Sequence, residues 1–196
     1  MTTIAAILTD SFADWEFGIL AAAARGFCGV DVVTASPEGA PVTSMGGLKV
    51  APDISIDDID LAAVDAIAII GGGVWDQPNA PDLTELLTIA YAHGKFIGAI
   101  CGGTRALAAS GLLDTIPHTS NEAGYLANVS GYRGHGHYVT SPATLKCGHI
   151  ITASGLAPVS FMRTMISALG KGGPELDYYA DMFGMEFEGR SERHAA

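Results

Sequence analysis

The chain has 196 residues with 10 Lys and Arg against 21 Asp and Glu, a formal net charge of -11. This length suffices for one domain with a proper core, and the acidity argues against a phosphate backbone as partner, which needs clustered basic side chains. Although 48% of the residues are apolar, no apolar run approaches the ~20 residues that cross a bilayer, so neither nucleic acid nor membrane is an expected partner.

Residues 3–8 are a continuous apolar run that reads as a buried strand. Asp14 can cap a helix over 15–25 that stops at Gly26, and residues 30–35 read as a second strand, together a right-handed crossover of a parallel sheet. Residues 41–44 and 48–51, on either side of Met45-Gly46-Gly47, predict a small hairpin decorating the sheet. Over 53–65 carboxylates alternate with Ile and Leu as on the solvated face of a helix, a pattern read as surface rather than as a cation site. A third buried strand over 66–70 ends at Gly71-Gly72-Gly73, a helix is expected over 82–93, and a fourth strand ends at Cys101. This order predicts a doubly wound α/β domain with a mostly parallel sheet and its site beyond the carboxyl ends of the strands.

After the helix that follows Cys101, which Gly111 terminates, a short helix is expected within 118–128 and a glycine- and aromatic-rich loop over 130–140. A strand over 150–153 and a helix over 159–169 complete a domain assigned to 1–170. Gly170 to Pro174 then reads as a hinge or linker. Residues 171–196 are taken as a C-terminal helical extension and tail packed on the same domain, with a helix over 177–187 and a polar, frayed end from Glu188. The N-terminus runs into the first strand without a basic region or a small-residue cleavage site, and three scattered cysteines make no disulfide framework, so a cytoplasmic location is expected.

The chemistry concentrates at Ala99-Ile100-Cys101-Gly102-Gly103-Thr104-Arg105. A strand that breaks at one cysteine into a Gly-Gly step and a helix lifts the sulfur off the end of the sheet on a strained turn, and Ala99, Gly102 and Gly103 make room for it. Helix-terminal amides and the helix dipole would then favour a thiolate and depress the thiol pKa. The competing reading is a small buried cysteine with glycines that permit close packing.

Glu16 stands in the first turn of the first helix, at the same edge of the sheet. As a carboxylic acid sharing a proton with the sulfur it would have a raised pKa and keep the sulfur nucleophilic; the alternative is an ordinary acidic residue favoured by the helix dipole. Gly72 and Gly73 can present amides to a developing oxyanion, with Gly102 completing the pocket. His118 is a candidate proton relay or a satisfied loop histidine. His135-x-His137 and Cys147-x-His149 have the spacing of ligands on one strand face. Without a C-x-x-C pair or a helical histidine pair no metal is expected. Cys28 and Cys147 are read as packing residues.

The elbow block through Ala-Leu-Ala-Ala-Ser-Gly-Leu-Leu, Ile69-Ile70-Gly71-Gly72-Gly73, Asp14-Trp15-Glu16 and Ile151-Thr152-Ala153-Ser154-Gly155 are together similar to the ThiJ/PfpI superfamily. The resemblance implies a flavodoxin-like, class I glutamine-amidotransferase-like fold, a homodimer, Cys101 as the reactive cysteine and Glu16 as its hydrogen-bonded acid. It implies an enzyme of amidase, hydratase or glyoxalase type acting on a small-molecule electrophile without a cofactor. Three departures matter. Gly102 stands where protease-like members carry histidine, which argues against peptidase activity. Thr119-Ser120 is followed by Asn121 where glyoxalase-like members carry histidine, so His118 as a catalytic group, or Asn121 as an oxyanion- or substrate-binding group, would have to assist. No His-x-Glu follows near the domain end, which argues against glutamine hydrolysis. The reading from another class is a redox or stress-response protein whose Cys101 is oxidised without turnover. A third is a binding module that keeps the elbow as a relic.

Overall fold

The computed structural model describes residues 1–191. In chain order its strands are β1 (Thr3–Ile7), β2 (Asp31–Ser36), β3 (Val42–Thr43), β4 (Lys49–Val50), β5 (Ile54–Ser55), β6 (Ala66–Ile69), β7 (Phe96–Ile100), β8 (Leu145–Cys147) and β9 (Ile150–Ala153). The helices are α1 (Asp14–Gly26), α2 (Thr84–Ala92), α3 (Thr104–Ala109), α4 (Pro158–Ala168) and α5 (Pro174–Ser191). Seven strands form one sheet in the order β5-β2-β1-β6-β7-β9-β8, parallel except for β8, and β3 and β4 make the separate hairpin.

Helices cover both faces, which is why the central strands are apolar without alternation. Ile4 and Ala6 of β1 face the layer of α1, α4 and α5, among Leu20, Phe161, Met162 and Leu176. Ala5 and Ile7 face the layer of α2 and α3, among Leu87, Leu107 and Trp75. At Gly98 the Met165 thioether occupies the space a methyl group would need, so α4 lies directly on β7 just below the elbow. The sheet places the ends of β1, β6, β7 and β9 side by side: Ile7 is level with Ile69, Ile69 with Ala99, and Ile100 with Ala153. No helix among the described residues is long and apolar enough to cross a membrane.

Several local expectations are corrected. Asp14 is the first residue of α1 and not its cap; Ala13 precedes the helix without a side-chain hydrogen bond. The Asp14 carboxylate instead accepts from the Ser44 hydroxyl and from Gly46 N–H (2.8 Å), which ties the hairpin turn to the start of α1. Residues 53–65 form no helix: β5 pairs with β2 as an edge strand, and a 3-10 turn over Ile56–Asp58 follows, capped by Ser55 Oγ accepting from Asp58 N–H at 3.1 Å. The stretch 118–128 is not helical either, because its start is drawn across the end of the sheet: Thr119 N–H donates to Thr152 Oγ1 at 2.9 Å, and His118 bridges to Tyr138.

His135 and His137 lie on a 3-10 turn (Gly134–His137) and His149 lies in the β8–β9 turn, so neither pair shares a strand face. Helix α5 begins at Pro174 and continues past Glu188 to Ser191, with Leu176, Tyr179 and Ala180 buried beside α4. The remainder of the expected tail, 192–196, lies outside the described residues.

Candidate active site

Cys101 follows the last residue of β7 with φ of 54° and opens a 3-10 turn (Cys101–Gly103) that leads into α3. For a residue with a Cβ this left-handed conformation is costly and persists only where its surroundings enforce it. The glycines are part of that enforcement. A methyl on Gly103 would stand 2.5 Å from the Ile69 carbonyl oxygen, and one on Gly102 would stand 2.9 Å from that of Gly72. The elbow therefore presses against the end of β6 too closely for any side chain.

Glu16 is completely buried in the first turn of α1. Its Oε2 accepts from Gly71 N–H at 2.8 Å, whereas Oε1 has no hydrogen-bond partner among the described residues other than the Cys101 thiol. That oxygen lies beside the sulfur, as the two flanking glycines reveal. A methyl on Gly155 would meet Sγ of Cys101 at 2.9 Å and Oε1 of Glu16 at 3.2 Å, and one on Gly71 would meet Cβ of Cys101 and Oε2 of Glu16, each at 2.6 Å.

Burial pushes the Glu16 acid up to about 7, against the pull of its hydrogen bonds. The Cys101 thiol is also raised, first by burial and then by the Glu16 charge; hydrogen bonds from Asn121 and Gly102 pull the other way. The expectation of a depressed thiol pKa is corrected accordingly, because desolvation outweighs the turn's amides here. Two raised acids in contact behave as one site that gives up its first proton jointly.

Asn121 reaches the same sulfur. Its Nδ2 lies 3.4 Å from Sγ while Oδ1 accepts from Gly155 N–H at 2.9 Å. Of the triple glycine, Gly71 rather than Gly72 or Gly73 touches the pair. Gly73 N–H is turned to the Ser11 carbonyl at 3.4 Å, and Gly72 bridges to Phe12. Gly102 N–H faces the sulfur.

His118 is not brought into this group. It is fully buried, with Nδ1 2.8 Å from the Ile116 carbonyl oxygen and Nε2 2.6 Å from the Tyr132 hydroxyl. The carbonyl can only accept, so Nδ1 carries the proton and Nε2 accepts from Tyr132. Burial holds its pKa below the ordinary histidine value.

Arg105, one turn beyond the elbow, joins two walls around the cysteine. Its Nε donates to the Trp75 carbonyl (3.0 Å) and its Nη1 to that of Tyr125 (2.9 Å), while the Tyr125 hydroxyl meets the Asp76 carboxylate at 3.1 and 3.2 Å. Gly71, Gly155 and Arg105 were not singled out as site residues from sequence. The visible signals were glycines at two strand ends and an arginine one turn after the cysteine.

A doubly wound sheet that presents one cysteine on a left-handed elbow, over a buried acid, defines an α/β protein with a candidate site at that cysteine. The chain belongs to the DJ-1/PfpI family, whose model matches residues 2–168. It is 42% identical to a DJ-1 superfamily protein of Agrobacterium tumefaciens, with a TM-score of 0.92 over 95% of this chain and 100% of that one. An uncharacterized protease of Bacillus subtilis is 34% identical over 173 residues, 84% of this chain and 82% of the relative. A glutathione-independent glyoxalase of Caenorhabditis elegans is 31% identical over 105 residues, 50% of this chain and 56% of the relative.

Proposed function

We propose that this chain is a cysteine-dependent enzyme that adds the Cys101 sulfur to the carbonyl carbon of a small electrophile, with Glu16 as the proton partner. The observation that carries this reading is the buried Glu16 oxygen beside Sγ, which among the described residues has no hydrogen-bond partner other than the Cys101 thiol. A buried carboxylate oxygen served by a weak thiol donor alone is expensive to keep charged, and a proton moving between it and the sulfur gives the pair a function.

For a 2-oxoaldehyde such as methylglyoxal the steps balance as follows. Glu16 takes the thiol proton, the sulfur electron pair forms a bond to the aldehyde carbon, and the C=O π pair moves to oxygen, which takes the proton back. The Glu16 carboxylate then removes the aldehyde hydrogen as a proton and passes it to the neighbouring carbonyl oxygen, giving an enediol; protonation of the carbon bearing that oxygen, with loss of the hydroxyl proton on the sulfur-bearing carbon, leaves a thioester of a 2-hydroxy acid. Water cleaves that thioester and restores the thiol, so the net change is the addition of one water. The glyoxalase relative supports this chemistry. Amide cleavage is served less well, because a leaving nitrogen must be protonated and Glu16 lies beneath the sulfur, with Gly102 in place of an adjoining histidine.

The second reading is carried by the same oxygen. Peroxide transfers oxygen to the thiolate in two steps, each releasing water or hydroxide, and a protonated Glu16 then donates to the sulfinate. One experiment separates the two: loss of methylglyoxal and formation of lactate in the wild type, Cys101→Ser and Glu16→Gln proteins. Catalytic lactate formation that both substitutions abolish supports the enzyme. No turnover, with stoichiometric oxidation of Cys101 by peroxide, overturns it in favour of the sensor.

A further inference from the structure

The Asn121 side chain can adopt one useful orientation. Gly155 N–H needs an acceptor, so Oδ1 must face it, and the Nδ2 amino group is thereby turned to Sγ of Cys101 at 3.4 Å. An amino group carries two protons and a sulfur in this geometry takes one. We infer that Asn121 is a catalytic residue of this chain: one Nδ2 proton serves the Cys101 sulfur and the other serves the oxygen that becomes negative when the sulfur adds to a carbonyl. This deepens the proposed function and rests on it for the carbonyl step.

Three backbone donors near the sulfur are already engaged. Gly73 N–H is turned to Ser11, Gly71 N–H to Glu16, and Gly102 N–H faces the sulfur. The segment that presents Asn121 is held on two sides. Thr119 N–H donates to Thr152 Oγ1 at the end of β9, and Ser120 Oγ lies 2.6 Å from Thr104 Oγ1, which itself donates to the Cys101 carbonyl at 2.6 Å. The amide is thus fixed to both the elbow and the neighbouring strand, which is what a pre-oriented donor requires. An amide also has no proton to give up near neutral pH, so Asn121 stabilises charge without relaying protons. Proton traffic is left to Glu16 and Cys101.

The test replaces Asn121 in a protein with Cys28 and Cys147 changed to serine. Asn121→Asp keeps an acceptor for Gly155 N–H and removes both donors, whereas Asn121→Leu removes acceptor and donors together. Two quantities are read besides turnover: the pH dependence of Cys101 alkylation by iodoacetamide, and the concentration of methylglyoxal that protects Cys101 by forming the hemithioacetal. If Asn121 donates, both variants move thiol ionisation to higher pH and need roughly tenfold or more methylglyoxal for protection, the effect of losing a hydrogen bond to a charged group. Turnover falls about 10²- to 10³-fold with KM nearly unchanged.

Wild-type alkylation and protection in Asn121→Asp would overturn the inference and leave Asn121 as a tie for the Gly155 loop. Wild-type behaviour in both variants would overturn it as well. Should the parent protein form the hemithioacetal but never release lactate, the proposed function fails, while the Asn121 role is still decided by the protection measurement.

Discussion

Two buried titratable pairs in this molecule are built on opposite terms. In the His118–Tyr132 pair each ring nitrogen has a partner, and the surrounding rings of His135 and Tyr138 close over it. In the Cys101–Glu16 pair one carboxylate oxygen has no partner among the described residues other than the thiol, the sulfur is half-buried and the cysteine backbone is left-handed. Both lie toward the carboxyl side of the sheet, and by residue type alone the histidine is as good a catalytic candidate as the glutamate. Hydrogen-bond satisfaction separates them: a saturated pair holds structure, and an unsaturated one has capacity left for a reaction.

The sharpest way to break that contrast is Glu16→Gln. An amide can still accept from Gly71 N–H and offers a neutral donor to the sulfur, so thiol ionisation should move to lower pH and alkylation at neutral pH should quicken. Turnover of methylglyoxal should nevertheless fall about 10²- to 10⁴-fold, the usual contribution of a positioned proton-transfer group. Alkylation and turnover changing together in the same direction would show that Glu16 moves no proton.

Stability against pH probes the same residue. The Glu16 acid rises from 4.5 to about 7 on folding, so the folded chain holds this proton more tightly than the unfolded one. Stability therefore falls as pH rises from about 4.5 to about 7 and remains lowered above that. The full loss is on the order of 3 kcal/mol. Glu16→Gln should gain melting temperature relative to wild type at pH 8 and not at pH 4; an equal change at both values would remove burial of the carboxylate as the cause.

Gly155→Ala places a methyl 2.9 Å from the sulfur. The displaced reacting atom should cost about 10²-fold in kcat with the fold retained, checked by kinetics beside circular dichroism. His118→Phe sharpens the other side of the comparison. It strands the Tyr132 hydroxyl and should cost about 1–3 kcal/mol in denaturant titrations, while the pH profile of Cys101 alkylation stays unchanged. A shifted profile would draw His118 back into the site.

The legible parts of this chain were those in which local pattern and tertiary role coincide. Ile4 to Ile7 and Ala66 to Ile69 are apolar without interruption because both faces are covered, and Cys101-Gly102-Gly103 departs from its strand in a way few other folds require. Residues whose meaning depends on what closes over them were read less well. Gly71 and Gly72 look alike in sequence, yet Gly71 meets the Cys101–Glu16 pair and Gly72 meets the chain at Phe12. Leu145 to Cys147 is too short and mixed to announce an edge strand, and its ladder is supplied by β9. Residues 118–128 have helix formers but are captured by Thr152 and Tyr138, partners distant in sequence.

The left-handed backbone at Cys101 sets activity and durability against each other at one position. Glycine adopts that conformation without the steric cost a Cβ imposes, about 1 kcal/mol or more. A library screened for heat resistance alone should therefore enrich Cys101→Gly, yielding a tougher protein with no nucleophile.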